Sequence, residues 1–248
     1  MRFNPINFMV VLALVVIVIA PAASQFGVVE TSRQLPDVTS MAFVYKSITD
    51  VLRPAIWNVD GQANSIATGS GGEIYVTVNN HKVVKYSPEG EMLTEWLMEE
   101  EELPERIAIA PGGEVYITIN NHKVVKYSPE GQMLTDWRIE GVVDGIAIAP
   151  SGEVYVTIDN DQKVVKYSPE GEMLAEWTLV DVADGIAVGP GGEVYVTMNN
   201  SHKVVKFSPD GAMLDGWTVE GEMTGIAVSL NGLVYVSFTN GLIQVFEA

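Results

Sequence analysis

From Ser65 to Phe246 the chain alternates short β-branched and aromatic runs with clusters of Gly, Pro, Asn, Asp and Ser. The pattern recurs about every 40 residues, a period that belongs to stacked repeats. One copy, Gly145 to Trp177, reads GIAIAPSGEVYVTIDNDQKVVKYSPEGEMLAEW, and the others start at Ser65, Arg106, Gly185 and Gly225. Ile146-Ala147-Ile148 begins a first strand, and Pro150-Ser151-Gly152 turns the chain. Glu153 to Ile158 forms a second strand, rich in residues that suit a pleated surface. Asp159-Asn160-Asp161 is a hairpin turn, since Asn and Asp tolerate positive φ. Lys163 to Tyr167 and Met173 to Trp177 supply the third and fourth strands, separated by the turn Ser168-Pro169-Glu170-Gly171.

Four antiparallel strands joined by short turns make one blade of an all-β propeller, an architecture that leaves only short strand edges exposed. Aromatic residues keep register across the copies. Tyr75, Tyr116, Tyr155, Tyr195 and Tyr235 share one position, Tyr86, Tyr127, Tyr167, Phe207 and Phe246 a second, and Trp96, Trp137, Trp177 and Trp217 a third. An aromatic set repeated in every blade indicates packing between blades rather than a ligand cage. The last copy stops after its third strand. Trp57 lies nine residues before Ile66, the spacing that separates Trp137 from Ile146, Trp177 from Ile186 and Trp217 from Ile226. Pro54 to Val59 is therefore expected to complete the C-terminal blade, giving five blades over residues 53–248. A diverged sixth blade, drawn from Phe26-Gly27-Val28-Val29 and Phe43-Val44-Tyr45, is the alternative.

The N-terminus follows another pattern. Arg2 precedes the apolar run Phe8 to Ala20, and Ala20-Pro21-Ala22 fits the cleavage form of a secretory signal peptide. Equally, Asn4-Pro5 can open a helix, and amphipathic spacing resumes at Met41, Tyr45, Ile48 and Leu52. Residues 1–24 are read as a hydrophobic helix, either cleaved or retained. Residues 25–52 are read as a linker or amphipathic stalk. Both readings imply export and at least transient membrane contact through residues 8–20, hence an extracellular or cell-surface location.

Composition narrows the chemistry. The chain carries 14 Lys and Arg against 32 Asp and Glu, a formal charge of -18, which excludes nucleic acid as a partner. With no cysteine, disulfides, thiolate catalysis and Cys-bound zinc are excluded too. No GxSxG elbow, HExxH helix or phosphate loop is present.

At Gly-Ile-Ala-Val/Ile, Gly-Glu-Val-Tyr-Val and Asn-His-Lys-Val-Val-Lys-Tyr-Ser-Pro-Glu-Gly the chain resembles the NHL-repeat family of β-propellers, over Ser65 to Phe246. The resemblance implies the fold strongly and the activity hardly at all, because that family includes protein-binding, RNA-binding and enzymatic members. Six blades are commoner there. Family copies usually carry Asp just after the first strand, where this chain has Gly69, Ala110, Ala149, Gly189 and Ser229.

Candidate sites are few. His81, His122 and His202 all fall in the turn between strands two and three, where equivalent positions lie far apart around a ring, so they are read as turn residues. Immediately before the first strands stand Asn64, Glu105, Asp144, Asp184 and Thr224, which are expected near one mouth of the central channel. Asn64, Glu105, Asp144 and Asp184 are hard oxygen donors suited to Ca²⁺, and they loosely resemble the channel metal site of gluconolactonase-type propellers. Glu99 to Glu102 is read as a solvated loop, and Asn199-Asn200-Ser201 matches the N-glycosylation pattern.

Two functions follow. The first is a non-enzymatic extracellular structural or interaction module, with protein partners or self-assembly through the N-terminal helix. Its sharper form is a filament subunit similar in plan to a type IV pilin, although Pro5 stands where pilins carry Glu. The alternative is a metal-dependent, lactonase-like hydrolase working at the carboxylate ring.

Overall fold

The computed structural model describes residues 59–78, 81–99 and 101–247. The N-terminal helix and stalk, Trp57 and the candidate sixth blade lie outside the described residues. What is described is a β-propeller of five blades, all strand and turn. Blade 1 comprises β1 (Ala63–Thr68), β2 (Ile74–Val78), β3 (Lys82–Tyr86) and β4 (Met92–Leu97). Blade 2 comprises β5 (Pro104–Ile109), β6 (Val115–Ile119), β7 (Lys123–Tyr127) and β8 (Met133–Arg138). Blade 3 comprises β9 (Val143–Ile148), β10 (Val154–Ile158), β11 (Lys163–Tyr167) and β12 (Met173–Thr178). Blade 4 comprises β13 (Gly185–Val188), β14 (Val194–Met198), β15 (Lys203–Phe207) and β16 (Met213–Thr218). Blade 5 shows β17 (Met223–Val228), β18 (Leu233–Phe238) and β19 (Ile243–Glu247) among the described residues.

Each sheet is a simple antiparallel meander, because turns this short allow nothing else. The inner strands β1, β5, β9, β13 and β17 lie side by side in that order. Middle strands such as β6 and β10 are buried on both faces, which is why VYITI and VYVTI read as continuous apolar runs. The core sits between blades. Tyr116, Val124, Val154, Val156 and Ile158 form one such layer, partly covered by Trp137.

Two details differ from the sequence pattern. The inner strands begin earlier than Ile-Ala-Ile/Val suggests, so Asn64, Glu105, Asp144 and Thr224 lie inside β1, β5, β9 and β17, and only Asp184 precedes its strand. Left-handed backbone at the hairpin turns falls on Asn120 and Asn121 in blade 2, at φ 51 and 59°, but on residues outside the Asx set at His81, Gln162 and His202, at φ 55, 48 and 51°. Histidine is among the residues that enter this region most readily, so a turn role for His81 and His202 has a backbone reason.

Candidate functional site

The channel mouth is built on bulges. Val143 and Gly145 pair with Ile158 and Thr157, which leaves Asp144 as the extra residue of β9. Asn64 in β1 and Thr224 in β17 occupy the same irregularity, and Glu105 and Arg106 lie within it in β5. A bulge breaks the strict in–out alternation and re-aims a side chain. Sequence copies therefore bring these residues to equivalent places on successive inner strands.

The mouth groups bond mainly to the chain itself. Arg106 reaches from blade 2 to blade 3, where its Nε donates to the Asp144 carbonyl at 2.7 Å and a terminal nitrogen donates to the Asp144 carboxylate at 3.2 Å. Burial raises the Asp144 carboxyl above its ordinary range, the Arg106 charge opposes this, and Asp184 and Asp159 add to the rise. The Asp184 carboxylate accepts the Asn199 backbone N–H at 2.6 Å, which turns it toward its own hairpin. Asn64 Nδ2 donates to the Pro104 carbonyl at 2.8 Å. No group of three or more His, Asp or Glu side chains among the described residues is placed to hold a metal ion.

The histidines serve their turns. Nδ1 of His81, His122 and His202 lies 2.8, 2.6 and 3.1 Å from the carbonyls of Glu102, Asn120 and Gly221, each a donor position for a protonated Nδ1. The acidic loop is anchored rather than wholly solvated, because the Glu102 carboxylate pairs with Lys123. Asn199 is occupied as well: its Nδ2 donates to the Met223 carbonyl and its Oδ1 accepts the Met223 N–H. An amide engaged at both ends is a structural link between blades 4 and 5.

Two features escape the sequence pattern. A cleft of about 240 Å³ opens between blades 2 and 3, lined by Pro111, Glu114, Tyr116, Lys126, Ser151 and Pro169. It marks a repeated latch: Lys85 Nζ donates to the Pro129 carbonyl, Lys126 Nζ to that of Pro169, and the Tyr155 hydroxyl to that of Pro209. Each latch lysine also sits over the ring of its blade's tyrosine, at 5.1 Å for Lys85 and Tyr75.

The second feature is apolar. In β4, β8, β12 and β16 a register skip near the strand start leaves Met92-Leu93, Met133-Leu134, Met173-Leu174 and Met213-Leu214 exposed as pairs. Strict alternation would have turned one member of each pair inward.

Residues 182–207, which span most of blade 4, match the NHL repeat family. The chain carries an NHL repeat. No curated protein matches it in sequence. Among solved structures it is similar to virginiamycin B lyase from Staphylococcus aureus, with 17% identity, a TM-score of 0.61, and coverage of 77% of this chain and 71% of that one. A catalytically inactive histidine-to-alanine variant of that lyase, with quinupristin, gives 16% identity and a TM-score of 0.63 over 79% and 73% of the two chains. A protein of unknown function from Bacteroides caccae gives 15% identity and a TM-score of 0.62 over 77% and 81%. At such identities the likeness establishes the propeller fold alone.

Proposed function

We propose that this propeller is a non-enzymatic structural or interaction module displayed outside the cell, carried by the apolar N-terminal segment as an anchor or filament-packing helix. The observation that carries this reading is the row of exposed Met–Leu pairs on four successive outer strands. Repeated apolar exposure on an otherwise acidic protein marks an interaction surface, and methionine adapts to varied partners. The mouth carboxylates Asp144 and Asp184 are engaged by Arg106 and Asn199, which leaves them poorly disposed as free catalytic groups.

The test replaces Leu93, Leu134, Leu174 and Leu214 by Gln in the full chain. These side chains are exposed, so Tm is expected to hold, while the mass of native complexes seen by sedimentation falls. An unchanged mass distribution overturns the reading. Lactone hydrolysis that depends on added Ca²⁺ and is lost in Asp144→Ala and Asp184→Ala would install the hydrolase alternative instead.

A further inference from the structure

Of the chain's ten methionines, seven lie among the described residues, and the fold divides them into two sets. Met98, Met198 and Met223 are 9%, 0% and 3% exposed, each packed in a core layer between blades. Met92, Met133, Met173 and Met213 are 61%, 57%, 62% and 66% exposed. The repeat sets one of these four at the start of each of β4, β8, β12 and β16. Each pairs across its sheet with Tyr86, Tyr127, Tyr167 or Phe207, and the register skip leaves the leucine that follows as the extra residue. A thioether thus stands in water beside an exposed leucine, in the same setting four times.

These sulfur atoms are chemically singular in this chain. It has no cysteine, so no thiolate competes for an oxidant, and the exposed thioethers are the side-chain atoms most open to peroxide. Hydrogen peroxide is uncharged, so the formal charge of -18 does not keep it away. A sulfur lone pair attacks one peroxide oxygen, the S–O bond forms and the O–O bond breaks. The second oxygen takes the proton of the first and leaves as water. Sulfur gives up two electrons and the peroxide accepts them. The sulfoxide is polar and chiral where the thioether was apolar and flexible.

We propose that Met92, Met133, Met173 and Met213 are a set of peroxide-modified sites whose conversion to sulfoxides releases partners from the outer-strand rim. The effect on partners rests on the reading of the Met–Leu pairs as an interaction surface, whereas the choice of sites rests on exposure alone. After oxidation a polar group stands beside each of Leu93, Leu134, Leu174 and Leu214, and burying it against a partner costs free energy unless it finds a hydrogen bond. The propeller keeps its packing, because the methionines of its cores are Met98, Met198 and Met223. Methionine sulfoxide reductases, one enzyme for each epimer, regenerate the thioethers, so the change is reversible.

The test exposes the full chain to hydrogen peroxide and follows every methionine by peptide mass mapping. The four rim sites are expected to gain one oxygen each, faster than Met98, Met198 and Met223 by on the order of tenfold or more, since a buried sulfur is reached only through local opening. Tm should hold while the mass of native complexes falls in sedimentation, and treatment with both reductases should restore it. A variant combining Met92→Leu, Met133→Leu, Met173→Leu and Met213→Leu keeps an apolar rim without its sulfur. Its complexes should persist in peroxide, although Met1, Met9 and Met41 are still present. Comparable rates at rim and core methionines overturn the assignment of the sites. Complexes of the Met→Leu variant that dissociate in peroxide as the parent's do overturn the switch. So does an oxidised parent that keeps its complexes while the Leu→Gln rim variant loses them, an outcome that leaves the interaction surface standing. Complexes unmoved by either change overturn both.

Discussion

The indole of Trp96 in blade 1 lies directly over Gly131 in blade 2. A Cβ built on Gly131 would come within 2.7 Å of the ring, and Gly171 and Gly211 stand in the same relation to Trp137 and Trp177. Trp96 also meets Tyr75 of its own blade edge-on at 6.5 Å and Tyr127 of the next blade at 6.0 Å. In each of blades 1 to 3 one tryptophan thus fastens two sheets, and the turn glycine of the next blade is what lets it approach.

Gly131→Ala is therefore expected to combine two costs. The backbone there has φ +85°, a region that disfavours any Cβ by about 1–2 kcal/mol, and the clash with Trp96 adds about 1–3 kcal/mol of overpacking. Gly241 isolates the first cost, since it has φ +81° with nothing within 4 Å of a built Cβ. Thermal melts should show Gly131→Ala falling clearly further than Gly241→Ala. Equal losses would mean that the indole moves aside freely.

The latch between blades makes a second prediction. The Tyr155 hydroxyl donates to the Pro209 carbonyl at 3.1 Å, so Tyr155→Phe should cost about 1 kcal/mol. That corresponds to a Tm shift of roughly 2–4 °C for a domain of this size. The Tyr195 hydroxyl makes no hydrogen bond to another described residue, so Tyr195→Phe should leave Tm nearly unchanged. Chemical denaturation of the two variants side by side checks the difference.

The propeller was legible because its evidence is periodic: an aromatic at Tyr75 recurs at Tyr116, Tyr155, Tyr195 and Tyr235, and no single misreading alters the count. What escaped depends on pairing between strands. Asp144 belongs inside β9 rather than before it because Val143 pairs with Ile158 across a bulge. Leu134 is exposed beside Met133 for the same reason in β8. A bulge adds one residue on one strand, and nothing in the alternation of apolar and polar residues marks which residue is extra. The turn role of His81 was legible from its position in the repeat, but the left-handed backbone of Gln162 was not, because the pattern assigns positive φ in that hairpin to Asp159-Asn160-Asp161.

At the mouth, Arg106 restrains a carboxyl that burial would otherwise push further upward. Arg106→Gln is expected to raise the Asp144 pKa, which an NMR carboxyl titration reads directly. The sign for stability follows. A carboxyl whose folded pKa is raised binds its proton more tightly when folded, so its contribution is full below the ordinary Asp range and is lost as pH rises through the folded value. Removing Arg106 extends that loss to higher pH. At neutral pH the variant should lose no more than about 1 kcal/mol, since both side chains are partly exposed. A downward shift of Asp144 would show that the guanidinium acts there other than by its charge.

Tyr127 gives the sharpest pH dependence. Burial first, then the charges of Glu102, Asp136 and Glu99, push its hydroxyl from 10.0 up to about 12. The folded protein holds this proton after the unfolded chain has released it. Its contribution to stability is thus intact below pH 10 and declines as pH climbs toward 12, by on the order of 2–3 kcal/mol across that window. Tyr127→Phe removes the ionisation without disturbing the packing, because Phe207 occupies the same position in blade 4 and meets Trp177 at 5.9 Å, much as Tyr127 meets Trp96. The variant should match the parent at pH 7 and resist alkaline unfolding better above pH 10, as followed by denaturant midpoints at stepped pH. If parent and variant lose stability in parallel up to pH 12, another group governs alkaline unfolding.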